Sequence, residues 1–197
     1  MVSSAHPTAP RDPLFDAALD DLEHFAWRPE LEVEQIPSPQ RIAPHSAAVA
    51  ADLSVDGRDA GSGRLVLLHD SSGNPAWDGT FRCVSYARAD VDLEMVTDPL
   101  LAEVAWSWLT EALTTHGAAY TAASGTVTAV SSRCFGAMDG EPDRAEVEVR
   151  ASWTMLLETR DDFVRHLRAW QDLLCTTAGL PPLADGVIPL APKRAVR

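Results

Sequence analysis

His69 and Asp70 are the first neighbours in this sequence whose side chains could do chemistry together, a base beside a carboxylate, with Trp77 and Asp78 just beyond a run of turn-forming residues. A histidine and an acid at the mouth of a hairpin could hold a ligand or move a proton. Adjacent residues on a strand point to opposite faces, however, so the dipeptide by itself is a poor metal pair. The packing reading is that Asp70 caps the turn and His69 is a polar strand end. The functional reading is a ligand or general-base site formed by His69, Asp70 and Trp77.

Two further groups stand out. Glu146, Glu148 and Arg150 alternate with apolar residues and share one face of a strand, where they could meet Arg82 and Arg88 from an earlier strand. Opposite charges paired across strands stabilise a sheet by only about 0.2–1 kcal/mol each, so a solvated ladder accounts for them. On a concave face the same charges would recognise an anionic or peptide ligand. Trp106 is the other oddity. It lies off the apolar stripe of its helix, with Glu103, Thr110 and Thr114, so it needs a second partner: a covering loop or the C-terminal tail, or else a subunit or ligand.

Several chemistries are excluded by pattern. The sequence has no phosphate loop of the G-x-x-x-x-G-K-[ST] type, no G-x-S-x-G elbow and no H-E-x-x-H, and Gly61 to Arg64 precedes a strand where a dinucleotide loop would precede a helix. His24, His45, His116 and His166 show no ligand spacing, so neither a metal nor a cofactor is predicted. Cys83, Cys134 and Cys175 are odd in number and far apart, which predicts free thiols, buried at Cys83 and Cys175, and a reducing compartment. A net charge of −13 disfavours nonspecific binding to nucleic acid or anionic membrane. No apolar run reaches the length of a membrane span and the first residues lack a signal-peptide pattern, so a cytoplasmic location is expected.

The elements that must position these residues can be read in order. Residues 1–11 are expected to be disordered, 12–190 to form a single domain, and 191–197 to fray as a basic tail, with Val187, Ile188 and Leu190 lying over the body. Asp12 and Pro13 begin a helix whose apolar face includes Phe15, Ala18 and Leu22, ended at Arg28 by Pro29. Four strands follow, near residues 30–36, 46–55, 64–68 and 78–90, with Asp56–Gly57 as a hairpin turn. Asp98 and Pro99 open a second helix, read as the central one, with Leu100, Leu101, Val104, Ala105, Trp108, Leu109, Ala112 and Leu113 on its buried stripe and Gly117 as its stop. Strands follow at 119–132, where Gly125 marks a bulge or close packing, and at 145–155, the clearest alternation in the chain. Thr159 with Asp162 opens a third helix in capping-box style.

The order α-β4-α-β2-α predicts an α+β two-layer sandwich, an antiparallel sheet of about six strands with helices on one face. It is similar to the order of the secretion-chaperone-like fold, in which small acidic proteins dimerise and hold partner segments, an analogy of fold alone. The phrases WRPE at Trp27, PSPQRIAPH at Pro37, LVLLHD at Leu65, WDGTFRCVSYARA at Trp77, DPLLAEVAWSWLTEAL at Asp98, SGTVT at Ser124, EVRASW at Glu148 and AWQDLLCTTAGLPP at Ala169 resemble, as a series, the actinobacterial family known as domain of unknown function 3000. The resemblance spans about residues 13–190. It implies a cytoplasmic bacterial protein and brings no catalytic residue, cofactor or substrate. The resulting expectation is a non-enzymatic, chaperone-like module that binds a protein, peptide or ligand, a homodimer using the exposed sheet face or the Trp106 flank. The alternative is a small-molecule enzyme or sensor with its site near His69, Asp70 and Trp77.

Overall fold

Asp12 and Pro13 start the first helix as their chemistry dictates. α1 spans Pro13–His24, and the Asp12 carboxylate accepts a hydrogen bond from the Leu14 amide at 2.8 Å. The structure, a computed structural model, describes residues 11–181. The readings for residues 1–10 and for the tail from residue 182 onward lie outside the described residues. α1 buries Phe15, Ala18 and Leu22, and it stops well before Arg28, where Phe25 adopts extended backbone and sets its ring, tilted, 4.4 Å from that of Trp27.

β1 (Leu31–Gln35), β2 (His45–Val55), β3 (Arg58–Asn74) and β4 (Gly79–Asp90) then form the expected antiparallel meander. Asp56 and Gly57 take φ values of 52° and 74° in a two-residue loop, the left-handed pair that matches the twist of a hairpin. A short α2 (Leu93–Val96), which the sequence pattern did not reveal, leads into α3 (Leu101–Thr115). β5 (Tyr120–Ser132) runs to the far edge, and β6 (Arg144–Met155) returns between it and β4. The six strands therefore lie in the order β1-β2-β3-β4-β6-β5, all antiparallel.

α3 corrects two expectations. It begins at Leu101, with the Asp98 carboxylate accepting from the Leu100 amide in the preceding turn, and Leu100 and Val104 are exposed by 57% and 45% instead of lying on the buried stripe. The helix is rolled so that Leu101, Ala105, Leu109, Ala112 and Leu113 face inward, which also brings Trp106 down onto the sheet. Nor is α3 central. α4 (Arg160–Thr177) lies between α1 and α3 and packs on β3, β4 and β6. It buries Phe163, Leu167, Trp170, Leu173 and Leu174. At roughly 1.5–3 kcal/mol for each large side chain, α4 outweighs α3, whose large fully inward residues are three leucines.

Two buried indoles bond α4 to the sheet. Trp170 Nε1 donates to Ser85 Oγ at 3.1 Å, and Trp153 Nε1 on β6 donates to His166 Nδ1 at 3.2 Å. Leu174 meets the sheet over Gly63, where a Cβ would come within 2.4 Å of a leucine methyl. The start of α4 carries the expected capping box, with the Asp162 carboxylate accepting from the Thr159 amide at 2.7 Å. Cys83 and Cys175 are fully buried free thiols, and burial pushes Cys175 up to about 12.

His166 is sealed in this layer, and burial pushes its pKa from 6.5 down to about 4, against a smaller upward pull from Asp162. The folded ring is thus neutral where the unfolded one would already bind a proton. Stability is fully present above pH 6.5 and falls as pH drops from there towards about 4, by roughly 3 kcal/mol at the lower end. Urea midpoints measured from pH 7 to pH 4 should show this loss. His166→Gln, which keeps an acceptor for the Trp153 indole, should flatten the slope by about one proton.

Candidate functional site

The sheet face away from the helices holds the side chains that packing alone explains least. Register places Leu68 on β3, Arg82 on β4 and Thr154 on β6 in one cross-strand row there. The next rows are Val66, Val84 and Ser152, and then Arg64, Tyr86 and Arg150. The first row is not wet. Leu68, Arg82 and Thr154 are all buried, and Thr154 Oγ1 donates to the Trp77 carbonyl in the β3–β4 turn. Beyond this row the face opens.

Arg82 is the unusual member. It is 7% exposed, and its guanidinium meets only neutral oxygens: Nη1 donates to the Ala122 carbonyl at 2.8 Å and to Thr154 Oγ1 at 3.0 Å, and Nη2 donates to Ser152 Oγ at 2.6 Å and to Ser124 Oγ at 3.3 Å. No carboxylate pairs with it among the described residues, and burial pulls its pKa below the ordinary arginine value. The Ala122 carbonyl is aimed there by a bulge. β5 slips register against β6 between Thr121 and Ser124, and Ala122 takes a left-handed φ of 49°, a strained conformation for a residue with a Cβ.

Next to this cation lies a groove of about 570 Å³ on the open face. Val66 and Val84 form its floor, Ser124 and Ser152 one end, and Arg64, Tyr86 and Arg150 a wall. Among the described residues no carboxylate lines it. Arg64 has no ion pair among the described residues. Arg150 lies over the Tyr86 ring at 5.5 Å and reaches Glu148 at 2.6 Å, while Tyr86 donates to the other Glu148 oxygen at 3.1 Å.

The expected charge ladder is present at one end only. Arg88 grips Glu146 through two N–H donors, one of them at 2.8 Å, and this pairing holds the Glu146 carboxyl below its usual range. Arg88 thus pairs diagonally and passes over Glu148, which faces it directly in register. Arg82, expected in the same ladder, joins none of it, because its row is roofed by the β3–β4 turn.

His69, Asp70 and Trp77 do not converge. His69 faces the helix layer, fully buried among Phe15, Phe81 and His45, with Asp12 at 3.8 Å. Burial pushes its pKa down, and neither ring nitrogen has a hydrogen-bond partner. Asp70 Oδ1 instead accepts from the Ser72 amide at 3.0 Å, a turn cap. None of the three lines the groove. Trp106 lies over Gly125, so close that a Cβ there would come within 2.6 Å of its ring. Its second partner is therefore the edge strand β5. Gly125 is a close-packing point, and the bulge falls earlier in the strand. Among the described residues no group of three or more His, Cys, Asp or Glu side chains is placed to hold a metal ion, and no helix is long and apolar enough to cross a membrane.

Sequence reasoning missed Arg64, Ala122, Ser124 and Ser152. Arg64 stands out in the sequence as the one charge in an apolar strand segment, and the alternation of β6 turns Ser152 outward, but neither marks a site; Ala122 and Ser124 carry no signal, since alanine and serine on an edge strand are ordinary.

Fold and surface together define an α+β sheet protein with helices on one side and an arginine-walled groove on the other. The chain belongs to the family described as Protein of unknown function (DUF3000), whose model matches residues 11–188. No curated protein and no solved structure matches it.

Removing the buried cation should cost stability, because the oxygens gathered around it lose their donors. Arg82→Met is expected to lower unfolding free energy in urea by about 1–3 kcal/mol and to loosen β5 near Ala122 in hydrogen exchange.

Proposed function

We propose that this protein is a non-enzymatic binding module that holds a segment of a partner on the open face of its sheet. The observation that carries this reading is the groove itself, whose apolar floor of Val66 and Val84 no described residue covers between the arginines. Val84 is 39% exposed although it sits in the middle of the sheet, where a valine would ordinarily be covered. Buried free thiols at Cys83 and Cys175 favour a cytoplasmic setting. The alternative, a small-molecule enzyme or sensor at His69, Asp70 and Trp77, is less favoured, because these side chains are dispersed over two faces and His69 is sealed.

The module works as a homodimer in this reading, and the two edges of the sheet suggest how. β1 is short and carries Glu32 and Glu34, which guard it against pairing. β5 is thirteen residues long, without a charge or a proline, and rich in threonine and valine. In a chain of net charge −13, an uncharged edge is where two copies can approach, and antiparallel self-pairing of β5 satisfies a twofold axis.

Two measurements test these statements separately. Peptides selected from a display library on the wild-type protein should bind Val84→Arg at least about tenfold more weakly, since the new side chain fills the groove; equal binding would remove the groove from the function. In light-scattering chromatography the wild type should run as a dimer. Thr128→Lys, which puts a charge on this edge in both copies, should shift it to monomer, and Trp106→Ala, which withdraws support from β5, should weaken it. A wild type that stays monomeric would end the dimer reading.

A further inference from the structure

The groove's chemistry says more about its occupant than its shape does. Arg82 uses both of its terminal nitrogens on neutral oxygens, two of which are the hydroxyls of Ser124 and Ser152 at the end of the groove. A hydroxyl that accepts from a guanidinium is polarised, and its own hydrogen is turned away from the cation. The two hydroxyls lie 3.3 Å apart, so one can donate to the other, which leaves a hydrogen free to point into the groove. The positive charge of a buried arginine is thereby delivered to the surface through serine.

Arg64 and Arg150 add charge along the opposite wall. They flank Tyr86 in one cross-strand row, two strand spacings apart, or about 10 Å. Arg150 is partly neutralised by Glu148; Arg64 and Arg82 meet no carboxylate among the described residues. In a protein with 29 acidic and 16 basic side chains, a groove lined by arginine and, among the described residues, by no acid is a selected environment. Cationic positions separated in this way suit several carboxylates spaced along a chain better than one small ion. The groove is also too open to enclose most of a small molecule, as ligand pockets do.

We infer that the open sheet face binds an acidic peptide segment of a partner protein, its apolar side chains on Val66 and Val84 and its carboxylates received by Ser124–Ser152, Arg64 and Arg150. The inference rests on the binding-module reading and adds the chemistry of the partner. Attraction between this patch and a negatively charged segment also orients the encounter, since the rest of the surface repels it.

The test titrates wild-type protein with short capped peptides in which valine alternates with glutamate, glutamine or lysine, read by fluorescence anisotropy and by backbone NMR shifts on β4, β5 and β6. The glutamate peptide should bind at least about tenfold more tightly than the glutamine peptide, the lysine peptide should bind least, and the preference should fade with added salt. Ser152→Ala and Arg64→Ala change partly or fully exposed side chains and leave the core intact, so both should fold. Each should reduce the glutamate preference while sparing the glutamine peptide. Equal binding of glutamate and glutamine peptides, no binding of the glutamate peptide, or insensitivity to both substitutions overturns the inference. Loss of glutamate preference with Val84→Arg sensitivity intact overturns the acidic partner but leaves the binding module standing. Displacement of the peptide by acetate alone at matched carboxylate concentration would make the seat one for small free anions and overturn the peptide source.

Discussion

The structure depends on burying one helix almost all round. α4 carries bulky residues towards the sheet and smaller contacts towards α1 and α3, and eleven of its residues are buried. Such a helix cannot float on dispersion contacts alone, because indole N–H groups sealed without partners would cost about as much as a lost leucine methyl or two. Ser85 and His166 remove that cost at Trp170 and Trp153, and in doing so they fix both the height and the register of α4 over β4 and β6. His166 is the compromise in this arrangement: one ring nitrogen must stay an acceptor for the indole, which ties the ring to its neutral form.

Among the described residues all the long helices lie on one side, so the second face of the sheet is covered only by its own side chains and by the β3–β4 turn. At one end the β3–β4 turn folds over it and buries Leu68 and Thr154. At the other end Arg88 and Glu146 make a solvated pair. Between them lies the groove. Arg82 belongs to the roofed end, where a carboxylate would normally be recruited; neutral acceptors take that place, and the strained Ala122 carbonyl is one of them. Four charge-assisted hydrogen bonds offset the desolvation of the guanidinium without cancelling its charge. Its field therefore survives at the surface, and this feature distinguishes the groove from a merely exposed strip of valine.

The edges differ for a related reason. β1 is guarded by glutamates, and its neighbourhood is tied down by Arg28, whose guanidinium binds Glu30 and the Pro181 carbonyl, so that the described chain ends anchored beside the first strand. β5 has no such guard. Its bulge blunts one end, Trp106 covers Gly125 from the helix side, and among the described residues no strand pairs along its outer edge.

Local chemistry alone determined most of the elements. Asp12–Pro13, Asp56–Gly57, Gly117 and the Thr159–Asp162 box place their boundaries because caps and turns are decided within a few residues, and the alternation in β6 places its faces because the period of a strand is two. Asp70 as a turn cap was legible for the same reason. What the sequence could not contain was pairing at a distance. That β6 lies between β4 and β5, that α4 and not α3 is central, and that α3 rolls to expose Val104 and lower Trp106 onto Gly125 all follow from how the layers compete for buried area. The groove is of this second kind. Arg64, Arg82, Ser124 and Ser152 come from four strands, and only the register of the assembled sheet, together with a one-strand bulge that no composition announces, brings a buried charge to two serines at its surface.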